Sequence, residues 1–190
     1  PEEFADLPTL IADLEALGIH SQLYFNTFIF EGADVWDSAI EGGHMVQRSD
    51  GSNYIQAGPS AGFKDMGLAD LTSAEGRAWV KGYLTLALDA GALGWMADYA
   101  EWVPVDDTVV ASGEHPAWVH NQYPLLWQEV NQEALDEAGV ADEACVYFRS
   151  GFLGSQGKAQ ILWAGDQQTS FRADDGYPSV IPIGLGLAAT

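Results

Sequence analysis

The sequence predicts an α/β fold in which short strands, buried on both faces, alternate with helices around a parallel sheet. Three observations carry this. Apolar runs of strand length recur between segments of helical periodicity. Within those runs apolar residues follow one another without polar alternation, the pattern of a parallel sheet covered on both sides. Polar residues then gather just after the runs: Asn26 after the first, Asp98 with Glu101 after the second, Arg149 with Ser150 after the third, and Asp166 after the fourth. In a closed barrel the C-terminal ends of all strands converge on one pocket, so such residues can face one another. An open nucleotide-binding sheet would want a glycine-rich turn straight after its first strand, and Asn26-Thr-Phe-Ile is not one. The expected fold is therefore part of a (β/α)8 TIM barrel, with residues 1–190 forming a single partial domain.

The elements follow in order. Asp6-Leu-Pro, then Leu10, Ile11, Leu14 and Leu17 at helical spacing before Gly18, predict a short amphipathic helix with a cap, an early proline and a terminal glycine. Ser21 to Phe25 reads as the first strand. Residues 27–71 are rich in glycine and weakly periodic, which predicts an irregular excursion with a little structure of its own. Thr72-Ser-Ala-Glu75 has the form of a capping box, after which Trp79, Val80, Tyr83, Leu84 and Ala87 make an apolar face that stops at Gly91. Leu93 to Ala97 reads as a second strand. Pro116 to Ala138 reads as a helix that Gly139 ends, with Pro124 implying a kink or a late start. Ala144 to Phe148 and Gln160 to Trp163 supply two more strands, and an apolar helix runs from about Tyr177 to the end. A closed barrel needs eight strands and typically about 250 residues, so four strands in 190 residues predict a piece of a longer chain.

Composition excludes several functions. The 28 acidic against 7 basic side chains give a net charge of −21, which argues against nucleic acid or an anionic membrane surface as a partner. The acidity is spread along the chain, as expected of a solvated, salt-adapted surface rather than an acidic tail. Cys145 is the only cysteine, so an internal disulfide and a Cys-based zinc cluster are both out. His20, His44, His115 and His120 match no metal-ligand spacing, and neither a metal nor another cofactor is expected. Pro1 to Asp6 is acidic with no apolar stretch after it, and Val180 to Ala189 is too short to span a bilayer, which together suggest a cytoplasmic protein. Nothing in the sequence speaks to the oligomeric state.

The run Gly94-Trp-Met-Ala-Asp-Tyr-Ala-Glu-Trp-Val-Pro104 sets Asp98 and Glu101 among aromatic and aliphatic neighbours. A carboxylate held away from water is costly unless paired, hydrogen-bonded or neutral, so such a residue invites a functional reading. The plain alternative is that Asp98 ends a buried strand and caps the adjoining turn, that Asp166 caps a turn of its own, and that Arg149 is a buried ion-pair partner. Two carboxylates and an arginine at neighbouring strand ends suit glycoside hydrolysis. Phosphoryl transfer would want metal ligands and basic residues, and Gly154-Ser-Gln-Gly157 is not the elbow of a serine hydrolase.

Trp95-Met-Ala-Asp-Tyr-Ala-Glu101, Phe148-Arg-Ser-Gly-Phe-Leu-Gly-Ser-Gln156 and Trp163-Ala-Gly-Asp-Gln167 together resemble glycoside hydrolase family 31, the retaining α-glycosidases, in the family's order and from about Leu7 to the end. The resemblance implies roughly strands 3 to 6 of the catalytic barrel. It implies Asp98 as nucleophile and Asp166 as general acid/base, with Arg149, Trp163 and Gln167 lining the sugar site and Glu101 in support. His120-Asn-Gln-Tyr123 also resembles a family helix segment, where a packing role is expected. The wording Met-Ala-Asp-Tyr-Ala-Glu and Trp-Ala-Gly-Asp-Gln is closer to the sulfoquinovosidase branch than to the α-glucosidases. That implies a small-molecule substrate, an α-glycoside of sulfoquinovose such as sulfoquinovosyl glycerol, although that branch's sulfonate-binding residues correspond to positions outside these 190 residues. An α-glucosidase, an α-xylosidase or a non-catalytic carbohydrate-binding relative are the alternatives. Retention would place the two carboxyl groups roughly 5 to 5.5 Å apart, against about 6.5 to 9.5 Å for inversion.

Overall fold

A computed structural model describes residues 5–188; the acidic start at Pro1–Phe4 and the last two residues of the expected C-terminal helix lie outside them. Its centre is a four-stranded parallel sheet of β1 (Leu23–Phe25), β5 (Gly94–Ala97), β7 (Cys145–Phe148) and β8 (Ile161–Leu162). These strands lie side by side in chain order. A doubly wound sheet reverses its order at a switch point, whereas a barrel adds each strand beside the last, so the order observed is that of a barrel segment.

The helices form where the apolar periodicity and caps dictate. Helix α1 (Leu7–Glu15) carries its proline in the first turn but takes no side-chain hydrogen bond from Asp6. Helix α3 spans Ala74–Asp89, and its cap is Ser73, whose hydroxyl accepts from the Gly76 N–H. The box expected one residue earlier fails because Asp70 takes Thr72: both the amide and the hydroxyl of Thr72 donate to Asp70 Oδ1. Helix α4 runs over Pro116–Ala138, with Pro124 inside it and Gly139 closing it in the left-handed conformation at φ 72°. Pro124 therefore marks no late start. Helix α5 (Tyr177–Ala188) follows the last strand, as the apolar run predicts.

The stretch 27–71 is more ordered than its glycine content suggests. It holds β2 (Phe28–Phe30), α2 (Trp36–Glu41), β3 (Gln47–Arg48) and β4 (Met66–Leu68). Strands β2 and β4 pair antiparallel, with Phe28 opposite Leu68, and β3 pairs with β6 (Thr108–Val109). Met45, Val46, Met66 and Leu68 from this stretch are all buried, so it joins the core.

Strand register sorts the sheet's side chains onto two faces. Trp95 with Val146, and Ala97 with Phe148, are in register and buried on the face that the helices cover. Trp95 Nε1 donates to Asn131 Oδ1 of α4 at 2.6 Å, and Asn131 passes the bond on to the Trp127 carbonyl, so the indole and amide enter the core fully partnered. Arg77 and Lys81 on α3 pair with Glu129, Glu133 and Glu137 on α4, tying the two helices together. The opposite face carries Tyr24, Met96, Tyr147 and Ile161 in register. Alternation along a strand puts the residues two positions further, Asp98, Arg149 and Trp163, on that same face at the C-terminal edge.

Candidate functional site

Asp98 leaves the end of β5 with its amide still bonded to the Phe25 carbonyl, which fixes the carboxylate at the sheet's edge. Its residue is 8% exposed. Burial on that scale demands partners, and they arrive from three sides. Tyr24 of β1 donates its hydroxyl to Oδ2 at 2.7 Å. The Tyr99 amide donates to Oδ1 at 2.9 Å. Arg149, from the end of β7, brings Nε to 3.5 Å from Oδ1.

Arg149 gives its hydrogen bonds to a different carboxylate. Nε donates to Glu101 Oε1 at 2.9 Å, and a terminal nitrogen bonds the same oxygen. The guanidinium also lies over the Tyr99 ring, 3.7 Å from its centre. Burial alone would pull the Arg149 pKa down; the hydrogen bond and charge of Glu101, with the charge of Asp98, outweigh it and hold the group above its ordinary value. One permanent cation thus serves two carboxylates, bound to Glu101 and facing Asp98. Glu101, expected only in support, takes the hydrogen bonds of Arg149, while Asp98 meets it as an ion pair.

The loop between them is bent hard. Tyr99 at φ 61° and Ala100 at φ 85° both occupy the left-handed region without being glycine, a conformation that persists only where surroundings over-determine it. Those surroundings are visible: Ser150 Oγ donates to the Tyr99 carbonyl, the Phe28 ring sits 4.4 Å from the Tyr99 ring, and Ala100 is fully buried. The bend turns the chain back on itself so that Asp98 and Glu101 approach one guanidinium.

Asp166 lies beyond β8, exposed, in a segment without regular structure. It lines an open cleft of about 480 Å³ together with Glu101, Arg149, Gln167, Asp174 and Asp175. Gln167 donates its side-chain amide to the Ala164 carbonyl at 2.7 Å, shaping the turn that carries Asp166. Trp163 packs edge to face on Tyr147 at 5.3 Å, on the same face of the sheet as Asp98. The structure thus gathers Glu101, Arg149, Asp166 and Gln167 around one cleft, with Asp98 joined to them through Arg149 and Trp163 beside the strands that carry them. A second cavity, about 320 Å³, lies between β1, β2 and α3 and is lined by residues such as Phe28, Leu71, Trp79 and Leu84; it holds none of these charges.

Tyr24 and Tyr99 escaped the sequence reading. The signal for Tyr24 is weak but real, a hydroxyl two positions before the strand-end Asn26 and hence on the face that turns out to carry Asp98. His120 binds the Val103 carbonyl through Nδ1, and Tyr123 is buried with its hydroxyl on the Ala69 carbonyl, so the segment 120–123 packs rather than lines the cleft. His115 caps α4 by accepting from the Ala117 amide. Among the described residues no three His, Cys, Asp or Glu side chains are arranged to hold a metal ion, and no helix is long and apolar enough to cross a membrane.

Residues 1–189 match the profile described as the TIM-barrel domain of glycosyl hydrolases family 31. The sulfoquinovosidase of Escherichia coli K12 is 34% identical over 191 residues, covering all of this chain and 27% of that protein. The α-xylosidase of Emericella nidulans is 26% identical over 90% of this chain and 21% of its own length. Among solved structures, a family 31 sulfoquinovosidase from E. rectale, in complex with the aza-sugar inhibitor IFGSQ, superimposes with a TM-score of 0.88 at 36% identity, over 93% of this chain and 26% of its own. The chain thus spans about a quarter of the length of these relatives.

Proposed function

The chain belongs to glycoside hydrolase family 31, and from that premise we propose that the full-length protein is a retaining α-glycosidase, acting on α-glycosides of sulfoquinovose, to which this chain contributes roughly strands 3 to 6 of the catalytic barrel. The observation that carries the proposal is the convergence of two carboxylate-bearing strand ends on Arg149, which faces Asp98 at 3.5 Å and shares its cleft with Asp166. Their chemistry divides by environment. Asp98, buried and held by three donors or positive groups, is kept as a carboxylate and attacks the anomeric carbon. Asp166, at the open cleft, gives its proton to the departing aglycone oxygen. In the second half of the reaction Asp166, now a carboxylate, takes a proton from water as the water displaces Asp98 from the sugar. Two displacements at one carbon restore the α configuration.

Glu101 and the Tyr99 ring hold the Arg149 guanidinium in place, so that its positive charge faces Asp98 without collapsing onto it. Trp163 supplies a wall for the sugar and Gln167 fixes the Asp166 turn. The assignment to sulfoquinovose rests on the identity to sulfoquinovosidases over the whole chain; the lower identity to an α-xylosidase makes a neutral α-glycoside the alternative substrate.

The test is turnover of 4-nitrophenyl α-sulfoquinovoside against the corresponding α-glucoside and α-xyloside by the full-length protein. Preference for the sulfoquinovoside, with Asp98→Asn lowering kcat by at least about a thousandfold, is expected. No turnover of any of the three, with Asp98→Asn leaving that result unchanged, would favour a carbohydrate-binding relative instead, and turnover that survives Asp98→Asn would contradict Asp98 as the nucleophile.

A further inference from the structure

We infer that Tyr24 is a positioning residue for the nucleophile: its hydroxyl fixes the rotation of the Asp98 carboxylate and stabilises the negative charge that returns to it when the glycosyl ester breaks. The inference rests on the reading of Asp98 as the nucleophile. The two carboxylate oxygens are held in different ways. Oδ1 faces the Tyr99 amide and Arg149, both fixed to the loop and to β7. Oδ2 has a single side-chain partner among the described residues, Tyr24. The two oxygens are therefore gripped from different strands, and removing the Tyr24 hydroxyl frees the carboxylate to turn about its last bond.

Tyr24 is itself placed by the sheet. Its backbone is in register with Met96, which puts its ring on the same face as Asp98 and one alternation below it. Asn26, next on that face, donates its side-chain amide to the Tyr24 oxygen at 3.3 Å, so the phenol accepts one hydrogen bond and sends its own proton to Asp98. Partial burial raises the Tyr24 pKa, the Asn26 bond pulls it back, and the bond to and charge of Asp98 raise it again, leaving it well above the ordinary phenol range. The phenol therefore stays protonated and acts as a donor throughout.

In the first step an Asp98 oxygen forms its bond to the anomeric carbon while the aglycone oxygen leaves with the electron pair and takes the proton of Asp166. In the second, water attacks, its proton goes to Asp166, and the electron pair of the sugar–Asp98 bond returns to the carboxylate. Tyr24 transfers no proton in either. Its hydrogen bond is strongest when Asp98 carries full charge, in the free enzyme and late in the second step.

Tyr24→Phe in the full-length protein removes the hydroxyl and keeps the ring, and the site is half exposed, so folding is preserved. The groups that face Asp98 are Tyr24 from β1, the Tyr99 amide from its own loop, and Arg149 from β7, which Glu101 holds. With that hydrogen bond gone the carboxylate is less well aimed at the anomeric carbon and its returning charge less stabilised, so kcat should fall about tenfold with KM little changed. An unchanged kcat in Tyr24→Phe, or a loss carried by KM alone, would overturn the inference. A wild type inactive on every glycoside would instead overturn the parent reading, and this inference with it.

Discussion

At the scale of single residues the site depends on one cation that cannot be replaced by another of the same charge. Arg149 reaches Glu101 with two nitrogens, lies flat on the Tyr99 ring and still faces Asp98. A lysine offers a point charge on a flexible stem, without the planar fork or the stacking surface. Arg149→Lys should therefore lose a charge-assisted hydrogen bond worth about 1.5 to 3 kcal/mol, which corresponds to a fall in kcat/KM of roughly ten- to a hundredfold. Steady-state kinetics on the preferred glycoside checks this, and wild-type activity in Arg149→Lys would show that only the charge matters. The sequence named Asp98, Glu101, Arg149 and Asp166 because charged residues after apolar strands stand out. It missed Tyr24 and Tyr99 because a tyrosine in an apolar run is indistinguishable from core until register shows which face it takes.

Among the elements, β5 and β7 leave no room for a side chain where β5 begins. Gly94 opens β5 opposite Cys145, and a Cβ there would overlap the Cys145 carbonyl oxygen, which is backbone and cannot swing aside. Gly94→Ala should push the strands apart at a cost of about 1 to 3 kcal/mol, lowering the denaturant midpoint, and because both strands end in site residues it should lower activity too. An unchanged midpoint would mean that the sheet yields more easily than its pairing suggests. The strands and the long helices were legible, since apolar runs, capping residues and terminal glycines are local signals. The antiparallel pairing of Phe28–Phe30 with Met66–Leu68 was not, because it joins residues about 40 apart through strands of three residues, too short to show a period. The shifted cap at Ser73 has the same origin: Thr72 is claimed by Asp70, whose other oxygen accepts from the Ala111 amide, a partner no local window contains.

For the whole molecule, the parallel sheet in chain order gathers its charged strand ends on one edge while the helices close the other face. The net charge of −21 leaves Arg149 as a cation set among Asp98, Glu101, Asp166, Asp174 and Asp175. The central claim is that Asp98 and Asp166 act in succession on one anomeric carbon, and the first anomer released tests it most directly. Proton NMR during hydrolysis of an α-sulfoquinovoside by the full-length protein should show the α-anomer first, with the β-anomer growing in only by slow mutarotation. Initial release of the β-anomer would mean a single displacement by water, and would contradict the role of Asp98 as nucleophile.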